Sequence, residues 1–215
     1  MHQYDDPDKR DACERIWDVL ATRVADGPAL IFPGPLPHEF NTLIRHGYKP
    51  ENIFLVEDGS CFKPPSTPEK TAGAIKALFT RRFPKGYPLL WQKGHLSDVC
   101  KLLVEMRLFL AAAHLDFTKP LGFLNSNSPA VEIEKFIKSC VMIDGLLAVT
   151  FLGGREQDGT NNDEVRYRRL QQAVSIRLNF GVPRTAKLIE TGRYQNKDSH
   201  NPMLWGIFEI KPQGE

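Results

Sequence analysis

Short apolar runs alternate with apolar residues at helical spacing along most of the 215-residue chain. Each run is bounded by glycine, proline or polar residues, and a run of this length between such residues is typical of a buried strand. The runs predict strands at 29–32, 52–56, 87–92, 109–116 and 145–152. Helical spacing predicts helices over 7–25, around 40–44, and over 69–83, 97–106, 128–142 and 163–180. Strands that alternate with helices favour a parallel sheet with right-handed crossover connections.

The last part of the chain has a different pattern. Ala186 to Thr191 and Met203 to Ile210 are strand-like runs joined by a turn-rich segment, so residues 183–211 are predicted to form an antiparallel hairpin. We therefore expect an α/β fold with three α-β-α layers and a mostly parallel sheet of roughly seven strands, closed by that hairpin. Residues 1–215 are expected to form a single domain that begins with a leading helix within residues 1–25.

Turn-forming and acidic residues follow the first two predicted strands. In parallel α/β units, ligands bind outside the carboxyl ends of the strands, next to the turn after the first strand. Pro33-Gly34-Pro35 forms that turn here, and the pair Glu57-Asp58 closes the second strand. Glu57 is placed to accept hydrogen bonds from the two hydroxyls of a ribose. A crossover unit that binds nothing is the alternative interpretation.

The third and fourth predicted strands also end in polar segments. Gly94-His95-Leu96 follows the third strand, where it either borders a ligand or forms a turn before a helix capped by Ser97. The fourth strand ends in Asp116, and Phe117 and Lys119 follow within three residues. Asp116 either acts on a ligand or is a buried polar residue that ties the loop down.

Composition narrows the classes of function. The 28 basic and 26 acidic residues leave a formal charge of +2, which argues against a strongly basic nucleic-acid-binding surface but leaves room for a local basic patch. Four widely spaced cysteines and unclustered histidines predict neither a disulfide framework nor a metal site. The polar N-terminus and the lack of a long apolar window predict a cytoplasmic protein without a membrane span. Since no phosphate-binding loop, nucleophile elbow or metal-binding helix motif is found, an NTPase, a hydrolase and a metalloenzyme are disfavoured.

The order of elements, the acidic end of the second strand and the final hairpin resemble the class I, Rossmann-like methyltransferases that depend on S-adenosylmethionine. The resemblance implies that Pro33-Gly34-Pro35 shapes the turn beside the methionine part of this cofactor and that Glu57-Asp58 binds its ribose. It also implies that Gly94-His95-Leu96 borders the adenine. The family usually carries an acidic residue and Gly-x-Gly after the first strand, where this chain has Phe32-Pro33-Gly34-Pro35.

The end of the fourth strand resembles one branch of this family in part. In methyltransferases that act on amino groups of nucleic-acid bases, this place holds Asp, Asn or Ser followed by two prolines and an aromatic residue. Here Phe117 directly follows Asp116, and a single proline comes three residues later. The resemblance implies that Asp116 orients the acceptor, with Lys119 and His114 as further catalytic candidates, and that the Phe117 ring stacks on a base.

Arginines beyond the fifth strand favour a nucleic-acid partner. Arg155 lies in a polar loop, and Arg166, Arg168 and Arg169 lie on the next predicted helix, where they either contact phosphates or form its solvated face. The leading hypothesis is therefore methyl transfer from S-adenosylmethionine, with a nucleic-acid base as acceptor. The rival hypothesis is a methyltransferase-like scaffold that has lost catalysis and acts as a binding or regulatory protein. A dinucleotide-dependent oxidoreductase is disfavoured by the antiparallel final hairpin.

Overall fold

The chain folds around a central β-sheet. The computed structural model describes residues 6–32, 38–57, 90–93, 96–122, 128–139, 141–153, 162–175, 183–195 and 201–214. Within these ranges the sheet has seven strands in the spatial order β3-β2-β1-β4-β5-β7-β6. The strands are β1 (Ala29–Ile31), β2 (Ile53–Glu57), β3 (Leu90–Lys93), β4 (Ala112–Asp116), β5 (Gly145–Leu152), β6 (Arg184–Gln195) and β7 (Pro202–Pro212).

The sheet is parallel from β3 to β5, and β7 runs antiparallel between β5 and β6. The predicted fold class, a mostly parallel α/β sheet closed by an antiparallel C-terminal hairpin, is confirmed. The strand order reverses at β1, with β2 on one side of it and β4 on the other. Since these three strands are parallel, their carboxyl ends lie at the same edge of the sheet. In open α/β sheets, ligands bind at such a reversal of strand order.

Helices cover both faces of the sheet. They are α1 (Pro7–Leu20), α2 (His38–Arg45), α3 (Leu96–Glu105), α4 (Pro129–Lys138) and α5 (Asp163–Ser175), with short 3-10 segments at Ala21–Arg23 and Pro50–Asn52. The helices α1 and α2 share one apolar cluster with the sheet, and α3, α4 and α5 share another. Three layers result, as the alternation of elements predicts. No helix in the described ranges is long and apolar enough to cross a membrane.

Successive residues of β4 face opposite layers, because side chains alternate along a strand. Ala113 and Leu115 pack in the cluster beneath α3, α4 and α5, whereas Ala112 packs beneath α1 and α2. His114 and Asp116 are in phase with Ala112, and they bond to side chains of α2 and α1 respectively. The strand therefore presents its two titratable residues to the layer formed by α1 and α2.

Contacts with the C-terminal hairpin hold α1 in place. Trp17 is fully buried in the cluster that α1 and α2 share. The Arg15 Nε atom donates to Glu190 Oε1 of β6 at 2.6 Å, and its guanidinium lies 5.9 Å from the centre of the Trp205 ring. Gly192 leaves room for that ring, since a Cβ atom there would come within 2.2 Å of it. This docking places the first turns of α1 near the end of β4.

Several predicted boundaries shift in the structure. Residues after Leu20 form a 3-10 turn, so α1 is shorter than the predicted helix over 7–25. The helix α3 already begins at Leu96, which places Ser97 inside the first turn and makes its predicted capping role wrong. The strands of the hairpin extend beyond the predicted runs, because ladder hydrogen bonds continue through polar residues at both ends. The predicted helix over 69–83 lies outside the described residues.

Candidate active site at the end of the fourth strand

Asp116 is the last residue of β4 and lies at the edge where the parallel strands end. Its side chain is only 8% exposed, and its Oδ2 atom accepts a hydrogen bond from Lys9 Nζ of α1 at 2.6 Å. Its other oxygen, Oδ1, is buried and has no hydrogen-bond partner within the described part of the chain. Buried polar atoms in native proteins are nearly always bonded, so Oδ1 is an acceptor that lacks its donor.

Lys9 reaches this edge because of the way α1 begins. Asp6 is the N-cap of the helix and accepts from the Asp8 amide at 3.0 Å, and Pro7 occupies the first helical position. Both features are typical of a helix start. Lys9 therefore lies in the first turn of α1, and its side chain retains 23% exposure beside the nearly buried Asp116.

The electrostatics of the pair favour the charged forms of both partners. Burial by itself would raise the pKa of the Asp116 carboxyl, but the Lys9 ammonium and the His114 imidazole hold that pKa below its usual value. Burial would likewise lower the pKa of Lys9, and attraction to the Asp116 carboxylate raises it well above the usual range. Asp116 is thus a carboxylate at neutral pH. It accepts hydrogen bonds well and is a weak base.

A second acid–base pair lies deeper along the same face of β4. His114 is fully buried; its Nδ1 atom bonds to Glu39 Oε1 of α2, and its Nε2 atom lies 2.8 Å from Thr150 Oγ1 of β5. Trp17 Nε1 also donates to Glu39 Oε1, at 2.9 Å. Burial by itself would lower the pKa of His114, but the Glu39 carboxylate raises it. The pair therefore favours the protonated imidazole, which can donate from both ring nitrogens.

Two weakly acidic side chains lie in the electrostatic surroundings of Asp116. Burial raises the pKa of the Tyr194 hydroxyl of β6, and the negative charge of Asp116 raises it further. Burial likewise raises the pKa of the Cys13 thiol of α1, and the Glu39 carboxylate adds to that effect. Both groups therefore stay neutral at physiological pH. Lys9 and His114 are then the charged groups that act on the Asp116 carboxylate.

The residues after Asp116 occupy different environments. Phe117 is half-buried and packs against the cluster beneath α3, α4 and α5, on the face opposite to Asp116. Its ring meets the Phe32 ring edge to face, with centroids 5.6 Å apart. Lys119 is exposed, and its carbonyl oxygen accepts from the Leu152 amide at 3.0 Å. The strand end thus brings Phe32 and Phe117 together and leaves the Lys119 side chain at the surface.

The prediction that Arg166 lies on a basic face of α5, the helix after β5, is wrong. Its side chain is 2% exposed, and its Nη1 atom donates to Asp163 Oδ1 at 2.8 Å, so it cannot present its charge to phosphates. Of the three helical arginines, Arg168 is exposed and Arg169 is half-buried. The physical reason is that α5 turns the Arg166 position toward the sheet together with Leu170. Arg155 lies outside the described residues.

Comparison with known proteins identifies the fold. No protein-family model matches the sequence, and no curated protein matches it. Among solved structures, an rRNA methylase from Streptococcus thermophilus shares 14% identity at a TM-score of 0.53, over 92% of this chain and 95% of that one. The N-methyltransferase NodS from Bradyrhizobium japonicum shares 12% identity at 0.56, over 96% and 98%. A SAM-dependent methyltransferase from Agrobacterium tumefaciens shares 11% identity at 0.55, over 95% of this chain and 62% of that one.

This chain has the fold of the class I methyltransferases. At identities this low the similarity is one of fold, and the matched structures extend over nearly the whole chain. The strand order and the antiparallel β7 agree with it. The fold predicted from the order of elements is therefore confirmed.

The structure describes only part of the cofactor site that the resemblance implies. Glu57 is the last residue of β2, next to the end of β1, since Leu55 pairs with Ile31 in the parallel ladder. Leu96 begins α3, and its side chain is buried in the apolar cluster. The predicted residues of the first turn, Pro33-Gly34-Pro35, and Asp58, Gly94 and His95 lie outside the described residues. Their roles stay predictions.

Sequence reasoning missed Lys9 and Glu39. Each contacts its partner across a large separation, 107 residues for Lys9 and Asp116 and 75 for Glu39 and His114. On their helices both read as ordinary first-turn polar residues. Asp116 itself carries a local signal, because a carboxylate follows a strand of small apolar residues. No group of three or more side chains suited to a metal ion occurs in the described ranges.

Proposed function

We propose that this chain is an S-adenosylmethionine-dependent methyltransferase whose acceptor is oriented by Asp116. The observation that carries the proposal is a buried carboxylate oxygen without a donor, at the end of β4, in a methyltransferase fold. An acceptor that donates an N–H or O–H hydrogen bond to Oδ1 supplies the missing partner. Such a donor also aligns its own lone pair for attack, which is positioning catalysis.

The described residues fit this cofactor. The strand order reverses between β1 and β4, so a crevice for a nucleotide-type ligand is expected at that edge. Glu57 at the end of β2 is the residue that would bind the ribose hydroxyls. The turn Pro33-Gly34-Pro35 would border the methionine part, and Gly94-His95-Leu96 the adenine. Bound there, S-adenosylmethionine supplies a methyl group on a positively charged sulfur that is already activated for transfer.

The acceptor atom would attack the methyl carbon with its lone pair, and the cofactor would leave as S-adenosylhomocysteine with the electron pair of the broken carbon–sulfur bond on sulfur. An amine acceptor then carries an extra proton, which passes to water. Asp116 is a poor recipient for that proton, because the Lys9 ammonium and His114 hold the pKa of its carboxyl below the usual value despite burial. Its role is to hold the acceptor through Oδ1.

We propose a nucleic-acid base as the acceptor. The rRNA methylase among the similar structures supports this class, and an exocyclic amino group offers the N–H that Oδ1 lacks. The half-buried ring of Phe117 and the Arg155 loop remain the proposed substrate contacts. Lys119 stays a proposed catalytic residue, although its exposed position suits contact with the outer part of a substrate better than with the reacting atom.

Calorimetry with S-adenosylhomocysteine tests the cofactor. If Glu57 binds the ribose, Glu57→Ala loses a charge-assisted contact worth about 1.5 to 3 kcal/mol, which is at least tenfold in affinity. Glu51→Ala is the matched control, since Glu51 is an exposed carboxylate in the turn before β2. Unchanged affinity in Glu57→Ala removes that residue from the site.

Transfer of labelled methyl groups tests the reaction. The purified chain is incubated with labelled S-adenosylmethionine and total RNA, genomic DNA or total protein, and incorporation is measured in each. Label in RNA or DNA supports the proposal, and label in protein moves the acceptor to that class. Cofactor binding without any incorporation supports the rival function, a scaffold that binds the cofactor and no longer transfers its methyl group.

A further inference from the structure

The contact between Lys9 and Asp116 joins the leading helix to the strand end where the proposed chemistry takes place. We infer that Lys9 is a positioning residue of this site, which holds the Asp116 carboxylate by Oδ2 so that Oδ1 faces the methyl acceptor. The inference rests on the proposed function and adds a residue to it. Its basis is the 2.6 Å bond to one carboxylate oxygen and the lack of any partner for the other within the described residues.

A bond to one oxygen fixes the plane of a carboxylate. A short N–H to O contact between charged groups is stronger and more directional than a neutral hydrogen bond. Lys9 is itself held by α1, whose Asp6 cap and Arg15–Glu190 contact anchor the helix to the rest of the molecule. Rotation of the Asp116 side chain is therefore restrained from outside its own strand. Supporting contacts of this kind are what a site needs to hold its geometry.

A purely structural ion pair would leave no oxygen unsatisfied. Within the described residues no side-chain atom of the Glu39–His114 pair is buried without a partner, whereas Asp116 Oδ1 is. Leaving a buried acceptor without a donor costs about 1 to 3 kcal/mol. This cost has a physical explanation if the acceptor is satisfied when substrate is bound. The Lys9 side chain is 23% exposed, so the pair lies close to the protein surface.

The pair also determines what kind of group Oδ1 attracts. The positive charge of Lys9 matches the negative charge of Asp116, so a substrate at Oδ1 needs to donate a hydrogen bond and does not need to be a cation. The other titratable groups that interact with the charge of Asp116 are Tyr194 and Cys13, which stay protonated, and His114, which favours the carboxylate. A neutral amino or amide N–H therefore fits this position better than an ammonium group.

Removal of Lys9 should change the pH dependence of the reaction. Burial by itself raises the pKa of Asp116, and the Lys9 ammonium is the main group that opposes it. In Lys9→Met the carboxyl should therefore protonate at a higher pH than in the parent, and below that pH it should stop accepting the substrate hydrogen bond. Its ability to do so should return as the pH rises. A merely structural defect would lower the rate equally at every pH.

The experiment uses the full chain with Lys9→Met, Lys9→Gln and Lys9→Arg. The control is Lys135→Met, which removes a surface lysine of α4 that pairs with the Glu132 carboxylate. Methyl transfer from labelled S-adenosylmethionine to total RNA, to genomic DNA and to total protein is measured across a pH series. Binding of S-adenosylhomocysteine is measured by calorimetry, and the pKa of Asp116 is measured by NMR of carboxyl carbon-13, assigned with Asp116→Asn.

We expect the pKa of Asp116 to rise by about one unit or more in Lys9→Met and Lys9→Gln, as for loss of an opposite charge at contact distance. Transfer should fall about tenfold or more at the acid end of the pH series and recover as the pH rises, at nearly unchanged cofactor affinity. Lys9→Arg keeps the charge and should retain most of the activity. Lys135→Met should behave like the parent.

The outcomes separate this inference from the proposed function. If methyl transfer by Lys9→Gln or Lys9→Met is unchanged, or is reduced by the same factor at every pH, the proposed role of Lys9 is wrong. The methyltransferase activity of the parent is not affected by that result. The glutamine variant gives the same readout if the methionine variant does not fold. A parent that binds the cofactor analogue but labels neither RNA, DNA nor protein overturns the proposed function, and this inference with it.

Discussion

Two acid–base pairs lie on the same face of β4, and they differ in how completely their atoms are bonded. In the inner pair, Glu39 and His114 are almost or fully buried, and both ring nitrogens of His114 have partners. In the outer pair, Asp116 keeps one oxygen without a donor in the described ranges, and Lys9 is partly exposed. The inner pair is complete without a ligand. The outer pair is the one to which a ligand can add something.

The difference follows from position along the strand. His114 pairs in register with Ile31 of β1 and Ala148 of β5, so strands and helices enclose it. Asp116 is the last residue of β4, beyond the described end of β1, where the sheet gives way to loops. A polar residue in the middle of a sheet must find its partners within the protein, whereas one at the end of a strand can meet a ligand. Burial alone therefore does not distinguish a structural from a functional carboxylate.

The largest expected effect comes from breaking the inner pair. His114→Leu leaves the Glu39 carboxylate buried with Trp17 as its remaining partner, and an uncompensated buried charge typically costs about 3 to 5 kcal/mol. We expect the free energy of unfolding, measured by urea denaturation, to fall by that amount. His46→Leu is the control, because His46 pairs with the exposed Asp18 at 3.3 Å and should matter little. A loss below about 1 kcal/mol in His114→Leu would show that the pair is not charged in the folded protein.

The next effect is on catalysis and concerns the outer pair. Asp116→Ala removes the acceptor for the substrate hydrogen bond, which commonly lowers the rate about a hundredfold or more. Binding of S-adenosylhomocysteine should stay close to that of the parent, because the residue acts on the acceptor. Asp98→Ala, at an exposed position in the first turn of α3, is the matched control. Full transfer activity in Asp116→Ala would make the outer pair structural like the inner one.

The stabilising effect of the inner pair should be lost toward alkaline pH, and that of the outer pair should be lost toward acid pH. The pKa of His114 is raised by folding, so its stabilising effect is complete below about pH 6.5 and is lost as the pH rises through the higher folded value. The pKa of Asp116 is lowered by folding, so its effect is complete above about pH 3.9 and is lost as the pH falls through the lower folded value.

The measurement for this prediction is the difference in unfolding free energy between the parent and each variant over a pH series. Each unit of pKa shift corresponds to about 1.4 kcal/mol. The difference between parent and His114→Leu should shrink on the alkaline side, and that between parent and Asp116→Ala on the acid side. Differences that do not change with pH would contradict the assigned charges.

The smallest effect should come from Thr150→Val. This change keeps the shape of the side chain and removes the acceptor that lies 2.8 Å from His114 Nε2. A lost buried hydrogen bond costs about 1 kcal/mol, or somewhat more here because the donor is charged. Urea denaturation should therefore show a loss well below that of His114→Leu. An equal loss would mean that the hydroxyl, and not the Glu39 carboxylate, is the main partner of His114.

The elements that the sequence predicts best are those whose signal is local. The strand β5 has the bounds expected from its apolar run, Gly145–Leu152, because it is buried on both faces and ends in glycine at each side. The final hairpin is also recognisable, since two apolar runs flank a turn-rich segment. Boundaries shift where tertiary contacts extend an element, as in β6, or where a neighbouring residue starts the helix, as at Leu96.

For the candidate site, the sequence indicates Asp116 but not its partners. A carboxylate at the end of an apolar run is visible without a structure, and so is the expected ligand edge of a parallel sheet. The arginines of α5 show the limit of this approach, because the sequence does not reveal that the Arg166 position faces the protein interior. Helical periodicity in a polar helix is too weak a signal to orient it.

The sequence by itself determined the order of strands and helices along the chain and the position of Asp116 at the end of β4, because apolar periodicity and turn residues act over a few positions. Only the tertiary structure decided that Lys9 bonds Asp116 and that Glu39 bonds His114, across 107 and 75 residues of chain. It also decided which of the two pairs leaves an oxygen unsatisfied. The physical reason is that hydrogen bonding and burial of a charged side chain depend on which helix is packed over it, and that packing is a property of the whole sheet.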